Sequence, residues 1–287
     1  MNSNSRKIIY SALVGGYDNI PEVTVDNSEW EFILFTDFKT DQKEINGWKI
    51  LPLIKEIKDD PVRTNRWHKI NSHLLFENCL CTIYIDCNIL IKDNYIFNRA
   101  DNLLANDSFL AMVAHPSRTC IYEEAKACVK IGKDTKTNIQ KNIDFLILEN
   151  YPKNNGLFEN NLIFRNHTSS SMEPFNKLWW NLVESMARRD QLSLAYVLWK
   201  LNIQPEYFLE KKSKNLRSHP SFTYITGHKI NNNLFEISEN ELEIIKKNSI
   251  KDQKELKKIK KSITYKLFYK TERGIRNFFK LNKKKHG

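Results

Sequence analysis

The chain has 287 residues, 41% of them apolar, with 16 Phe, 11 Tyr and 6 Trp, which suffices for a large buried core and argues against global disorder. The net charge of +11 is not spread evenly: residues 246–287 hold 16 Lys or Arg against 3 Asp or Glu, and the other 245 hold 29 against 31. A nearly neutral body with a basic tail is not the pattern of a nucleic-acid-binding fold, so no nucleic-acid partner is expected. No run of 18 apolar residues occurs, no secretory leader is recognisable before the first strand, and five cysteines are an odd number, read as free thiols.

In chain order, residues 7–14 predict a buried strand and Gly15-Gly16-Tyr17-Asp18 the loop after it. Strands follow at Glu31–Thr36, ending at Asp37, and at Trp48–Leu53. Asp60-Pro61 predicts a helix start with Asp as cap and Pro in the first turn, the helix running to about Phe76 and burying Trp67, Ile70, Leu74 and Leu75. Thr82–Ile85 is a strand running into Asp86-Cys87-Asn88. Ser108–Ala114 is another, ending at His115-Pro116. Helices are predicted at 120–131, 136–149, 174–186 and 191–201, the last capped by Asp190, and a short strand at Asn161–Arg165. Strands alternating with helices predict an α/β fold with a mainly parallel, twisted sheet and a ligand edge at the strand C-termini. Domain limits are expected at 1–238 and 239–287. In the second segment Leu256, Ile259, Ile263 and Leu267 recur at helical spacing among lysines, the pattern of a helix lying on an anionic membrane surface.

Asp86 is the most informative residue. Oxygen-bearing side chains at the tip of a central strand suit hard cations such as Mg2+ or Mn2+, which in turn hold phosphates. Arg63 and Arg66, in the first turns of the predicted helix, oppose its dipole and call for an anion. Asp59 and Asp60 are the local candidates and a diphosphate is the functional one. Lys69, two turns in, is expected at the surface unless phosphates lean over the helix. Trp179 and Trp180 are expected in the core. Cys79, Cys81, Cys87 and His115 do not have the spacing of a structural zinc site, and the common NTPase, dinucleotide-binding and hydrolase signatures are absent from the sequence.

The run Ile9–Asp18, Phe35-Thr36-Asp37-Phe38, Arg63-x-x-Arg66-x-x-Lys69, Tyr84–Asn88, His115–Ala125, Gly156–Asn161 and Arg189–Ser193 together resemble a group of GT-A-type glycosyltransferases. That group was long known as a domain of unknown function, and its plant members are linked to seed mucilage and cell-wall polysaccharide. The resemblance covers residues 7 to 200 and excludes the basic tail.

It implies a GT-A-like nucleotide-sugar-dependent transferase. Val14, Gly15, Tyr17 and Asp37 would hold base and ribose, and Arg63, Arg66, Lys69 and Asp86 the diphosphate. Asp86 takes the first place of the Asp-x-Asp metal motif and Asn88 the second, an amide in place of a carboxylate, which lowers metal affinity. His219 is the preferred late histidine ligand, ahead of His228. Asp190 is the candidate general base of an inverting reaction. His115, Glu159, Asn160 and Asn161 are candidate acceptor contacts. The expected partners are a nucleotide-sugar donor, a glycan or lipid-linked acceptor, and an anionic membrane reached through the tail at the cytoplasmic face. Two other readings are open: a non-catalytic nucleotide- or glycan-binding module, and a nucleotidyl or sugar-phosphate transferase.

Overall fold

In the computed structural model, eight strands form one sheet in the order β3-β4-β2-β1-β5-β8-β7-β9, comprising β1 (Arg6–Leu13), β2 (Trp30–Thr36), β3 (Glu44–Ile45), β4 (Trp48–Pro52), β5 (Cys79–Ile85), β7 (Leu110–Ala114), β8 (Phe158–Asn166) and β9 (Glu206–Tyr207). The structure describes residues 6–16, 19–210 and 215–225. Tyr17, His228 and the basic segment 239–287 lie outside them. Strands β4, β2, β1 and β5 are mutually parallel, and β8 runs antiparallel to both β5 and β7. The α/β architecture with a mainly parallel core is thus as expected. Ile8, Ile9 and Tyr10 on β1, and Ile83, Tyr84 and Ile85 on β5, are all buried, as strands covered on both faces require.

One face of the sheet is covered by α1 (Pro61–Ile70), α2 (Ser72–Leu75), α4 (Ile121–Lys130), α5 (Lys136–Leu148), α6 (Met172–Ser185) and α7 (Gln191–Lys200). Trp179 and Trp180 pack in this layer, as predicted. The other face is covered by α3 (Tyr95–Ala105) and by a two-stranded ribbon of β6 (Ile89–Ile91) and β10 (Phe222–Tyr224). Neither α3 nor the ribbon was expected.

The predicted 61–76 helix is broken at Asn71. Its backbone N–H and its side-chain amide both donate to the Trp67 carbonyl, and its own carbonyl accepts from Leu74 N–H, which starts α2 afresh. The break turns Leu74 outward, 60% exposed and not buried as expected. Trp67 and Ile70 are buried as predicted.

Two features set the ligand edge. The parallel strands β1, β2, β4 and β5 all end there, and antiparallel β8 begins there, with Leu162 opposite Ile85 and Asn161 C=O accepting from Asp86 N–H at 2.9 Å. Against β7 the register jumps between Met112 and Val113, which face Ile163 and Glu159, so Asn160, Asn161 and Leu162 form a bulge. A bulge re-aims side chains, and here it does so beside the tip of β5.

Candidate active site at the strand C-termini

The first-strand loop is closed by Asp37, whose Oδ2 accepts from Gly15 N–H at 2.8 Å. Gly15 and Gly16 have φ of +77° and +61°, a left-handed backbone that glycine adopts without strain. The structure therefore joins Val14, Gly15 and Asp37 in one turn. Helix α1 is fastened behind this edge. Asn65 Nδ2 donates to Ala12 C=O at 2.6 Å, and His68 accepts from Ile54 N–H through Nε2 while its Nδ1 meets Thr64 C=O.

Helical spacing places Arg66 and Lys69 on one side of α1. Lys69 Nζ lies 3.1 Å from Asp86 Oδ1 and 3.3 Å from Asp190 Oδ2, and Arg66 Nε lies 3.3 Å from Asp190 Oδ1. Two cations and two carboxylates from α1, β5 and the start of α7 thus form one balanced quartet. The Lys69 side chain is 3% exposed, so the expectation of a surface lysine is corrected: two carboxylates accept its charge and make its burial tolerable. Burial lowers the Lys69 pKa, and Asp190 and Asp86 oppose that. The Tyr84 ring lies 4.7 Å from Nζ, and its hydroxyl donates to Asp86 Oδ1 at 3.1 Å. Tyr84 precedes Asp86 by two residues, the spacing that puts strand side chains on one face.

Asp86 is the outward member, its side chain 38% exposed, whereas that of Asp190 is 1% exposed. Asp190 is not the side-chain cap that was expected: it makes no cap hydrogen bond, because its carboxylate turns to α1. Burial pushes its pKa up, but Arg66, Lys69 and Arg189 outweigh that and hold it well below the usual carboxylate range. A buried, ion-paired and firmly ionised carboxylate is a poor proton acceptor, so its geometry favours positioning over base catalysis.

The bulge of β8 completes the site. The Asn160 amide is buried beside Asp190, and among the described residues neither its oxygen nor its nitrogen has a partner of ordinary hydrogen-bond geometry. Asn161 Nδ2 donates to Tyr224 at 2.6 Å and to Glu159 Oε2 at 3.1 Å, and its own Oδ1 has no hydrogen-bond partner among the described residues. Arg217 Nη1 lies 3.5 Å from Glu159 Oε1 and stacks on Tyr224 with a 4.2 Å separation. Burial raises the Glu159 pKa, the Asn161 and Arg217 contacts oppose it, and the Asp86 charge adds to it. Buried amide atoms without partners are suited to hydroxyl-rich ligands.

Three expected contacts fall elsewhere. Arg63 faces away from the quartet: Nε donates to Val183 C=O at 3.0 Å, Nη2 to Met186 C=O at 2.7 Å and Nη1 to Asp60 Oδ2 at 2.6 Å. It closes the C-terminus of α6, where a cation suits the dipole, so the local reading holds for this arginine. Arg63→Ala is expected to lose about 2–4 kcal/mol in urea unfolding, from three charge-assisted bonds, and to leave nucleotide-sugar affinity unchanged within about threefold; a tenfold loss of affinity at normal stability would restore it to the site. His115, a partly buried residue whose side chain is 6% exposed, is held by its own loop: its Nδ1 accepts from Arg118 N–H at 3.0 Å, and Nε2 lies 3.6 Å from Glu124. His219 stacks on Tyr95 of α3 at 4.4 Å and its Nδ1 accepts from Ser221 N–H, which seats the ring between α3 and the segment leading into β10. Among the described residues no three of His, Cys, Asp and Glu group as metal ligands.

The model of the TOD1/MUCI70 glycosyltransferase-like domain matches residues 21–220. The probable hexosyltransferase MUCI70 of Arabidopsis thaliana is 25% identical over 209 residues, which are 64% of this chain and 36% of the plant protein. The chain thus spans little more than a third of that relative's length. Among solved structures, the galactosyltransferase LgtC with donor and acceptor sugar analogues overlaps at a TM-score of 0.40 and 10% identity, over 77% of this chain and 87% of that one. Mouse xyloside xylosyltransferase 1 overlaps at 0.39 and 8% identity, over 78% and 94%. With the family model covering residues 21–220, the chain belongs to the TOD1/MUCI70 glycosyltransferase-like domain family.

Proposed function

We propose that the chain is a glycosyltransferase that moves a sugar from a nucleotide-sugar donor to a hydroxyl of a glycan acceptor. One observation carries the reading: the half-exposed Asp86 at the tip of β5 is backed by Lys69, Arg66 and Asp190, beside the loop closed by Gly15 and Asp37. A hexose is the sugar class suggested by the plant relative's name.

A divalent ion would be held by the half-exposed Asp86 carboxylate, with an amide, Asn88, two residues on in place of a second carboxylate. That donor set fits Mn2+ or Mg2+ arriving with the donor, since such ions are commonly held by one or two carboxylates together with substrate phosphates. When bound, the ion would add positive charge where the diphosphate departs. Arg66 and Lys69 supply charge of the same sign from the protein, fixed in place by Asp190 before the donor arrives. Asn160 and Asn161 offer amide groups to sugar hydroxyls. To take a proton from the acceptor, Glu159 suits better than Asp190, because burial raises its pKa while Asp190 is held low. Contact of the basic segment 239–287 with an anionic membrane at the cytoplasmic face, and a lipid-linked acceptor, belong to the same proposal, supported by the 16 Lys or Arg against 3 acids in residues 246–287.

The test is a thermal-shift panel of UDP-, GDP-, CMP- and dTDP-sugars, each with Mn2+ or with chelator. One nucleotide class is expected to raise Tm by roughly 3–6 °C, a donor about tenfold above its Kd. A shift that survives chelation would remove the metal and leave the transferase. Negligible shifts for every donor would favour a non-catalytic module.

A further inference from the structure

The sheet face that carries Tyr10 and Tyr84 holds another full charge, at Arg165. This residue sits mid-strand on β8, between Thr82 of β5 and Leu110 of β7, and is 0% exposed. An arginine keeps its proton even when buried. Its Nη1 reaches the Tyr10 hydroxyl only at 3.4 Å, and the Trp179 ring lies 5.8 Å away. Nε and Nη2 have no hydrogen-bond partner among the described residues. The titratable groups that act on it are Tyr10 and Tyr84, both uncharged. The neighbouring His73 and His167 are neutral too: burial lowers both, and Arg165 pushes them further down. Asp86 and Asp190 are already engaged by Lys69 and Arg66.

A cation–π contact and one long hydrogen bond do not compensate a whole buried charge, whose desolvation is the larger effect by several fold. The two nitrogens left over are also the matched pair. Nε–H and Nη2–H lie along one edge of the guanidinium, the side-on fork that takes an anion with two parallel bonds. We propose that this edge of Arg165 binds a small monovalent anion of halide size inside the domain. A single guanidinium among neutral groups balances one negative charge, which disfavours a sulfate or phosphate dianion.

The test uses the full chain at constant ionic strength, in sodium chloride or sodium gluconate, whose anion is too large to enter. Chloride about tenfold above its dissociation constant is expected to raise Tm by roughly 3–6 °C over gluconate. Arg165→Met, which keeps an unbranched apolar stem and removes the charge, is expected to melt at one temperature in both salts, above the wild type in gluconate. Surface effects of chloride, including any at the basic tail, persist in the variant and so are subtracted. Equal wild-type melting in both salts, or a chloride shift retained by Arg165→Met, overturns the proposal. Should the variant not fold, wild-type crystals soaked in bromide decide: anomalous density beside Nε and Nη2 supports the site, and a featureless edge rejects it.

Discussion

Lys69→Met is expected to be the most damaging single substitution for the fold and the site together. It removes the ammonium shared by Asp86 and Asp190. Asp86 can turn to water, but Asp190 is left buried with Arg66 alone among its two ion-pair contacts. Breaking a buried pair typically costs about 3–5 kcal/mol, because the remaining charge is uncompensated. Asp190 is held below the usual carboxylate range, so the stability it contributes is fully present above about pH 4 and lost only in acid; the measurement belongs at neutral pH. Urea unfolding of wild type, Lys69→Met, Asp190→Asn and the double variant closes a thermodynamic cycle. The double variant should be more stable than Lys69→Met alone, since the stranded charge is gone. Sugar transfer should stay at least about a hundredfold down in all three, as expected when a preorganised charge-stabilising group is removed. Losses in stability that simply add would mean that Lys69 and Asp190 do not act on each other.

Part of this site was legible in the sequence, and the boundary has physical reasons. Asp86 stood out because an apolar strand ending in Asp-x-Asn is a local pattern, and its place at the sheet edge follows from α/β topology. The pairing of Gly15 with Asp37 follows the same rule, since two neighbouring parallel strands must end side by side. Lys69 was misplaced because a charged residue within a helix ordinarily faces water; what buries it is Asp190, from a helix far along the chain, and helical periodicity carries no such information. Arg63 and Arg66 look alike in sequence, three residues apart, yet the break of symmetry comes from the end of α6, whose open carbonyls claim Arg63. Tyr84 was within reach of a period-two reading of β5. Arg217 and Tyr224 were not, because they arrive through the β6–β10 ribbon, which only tertiary pairing reveals. Helix α3 did leave a signal in Ile96, Phe97, Ala100 and Leu103, all buried and at helical spacing, but it was not read from the sequence.

Asp86→Ala should separate function from stability as sharply as Lys69→Met joins them. Its side chain is 38% exposed, and its loss leaves Lys69 still facing Asp190, although Lys69 and Arg66 then share one carboxylate. The pair is half-buried, so its loss should cost about 1–2 kcal/mol, less than the ~3–5 kcal/mol of a fully buried pair, and Tm should fall by roughly 2–8 °C. Transfer should drop by at least about a hundredfold if the proposed donor site is at the β5 tip, because its half-exposed carboxylate is gone. The neighbouring Asn88→Asp makes the opposite change and restores a second carboxylate beside the first. It should tighten Mn2+ binding, read by calorimetry on the protein without donor, since affinity for hard cations rises with ligand charge. If Asp86→Ala transfers sugar at the wild-type rate, the β5 tip is not where the donor sits, however well Lys69 and Asp190 hold it in shape.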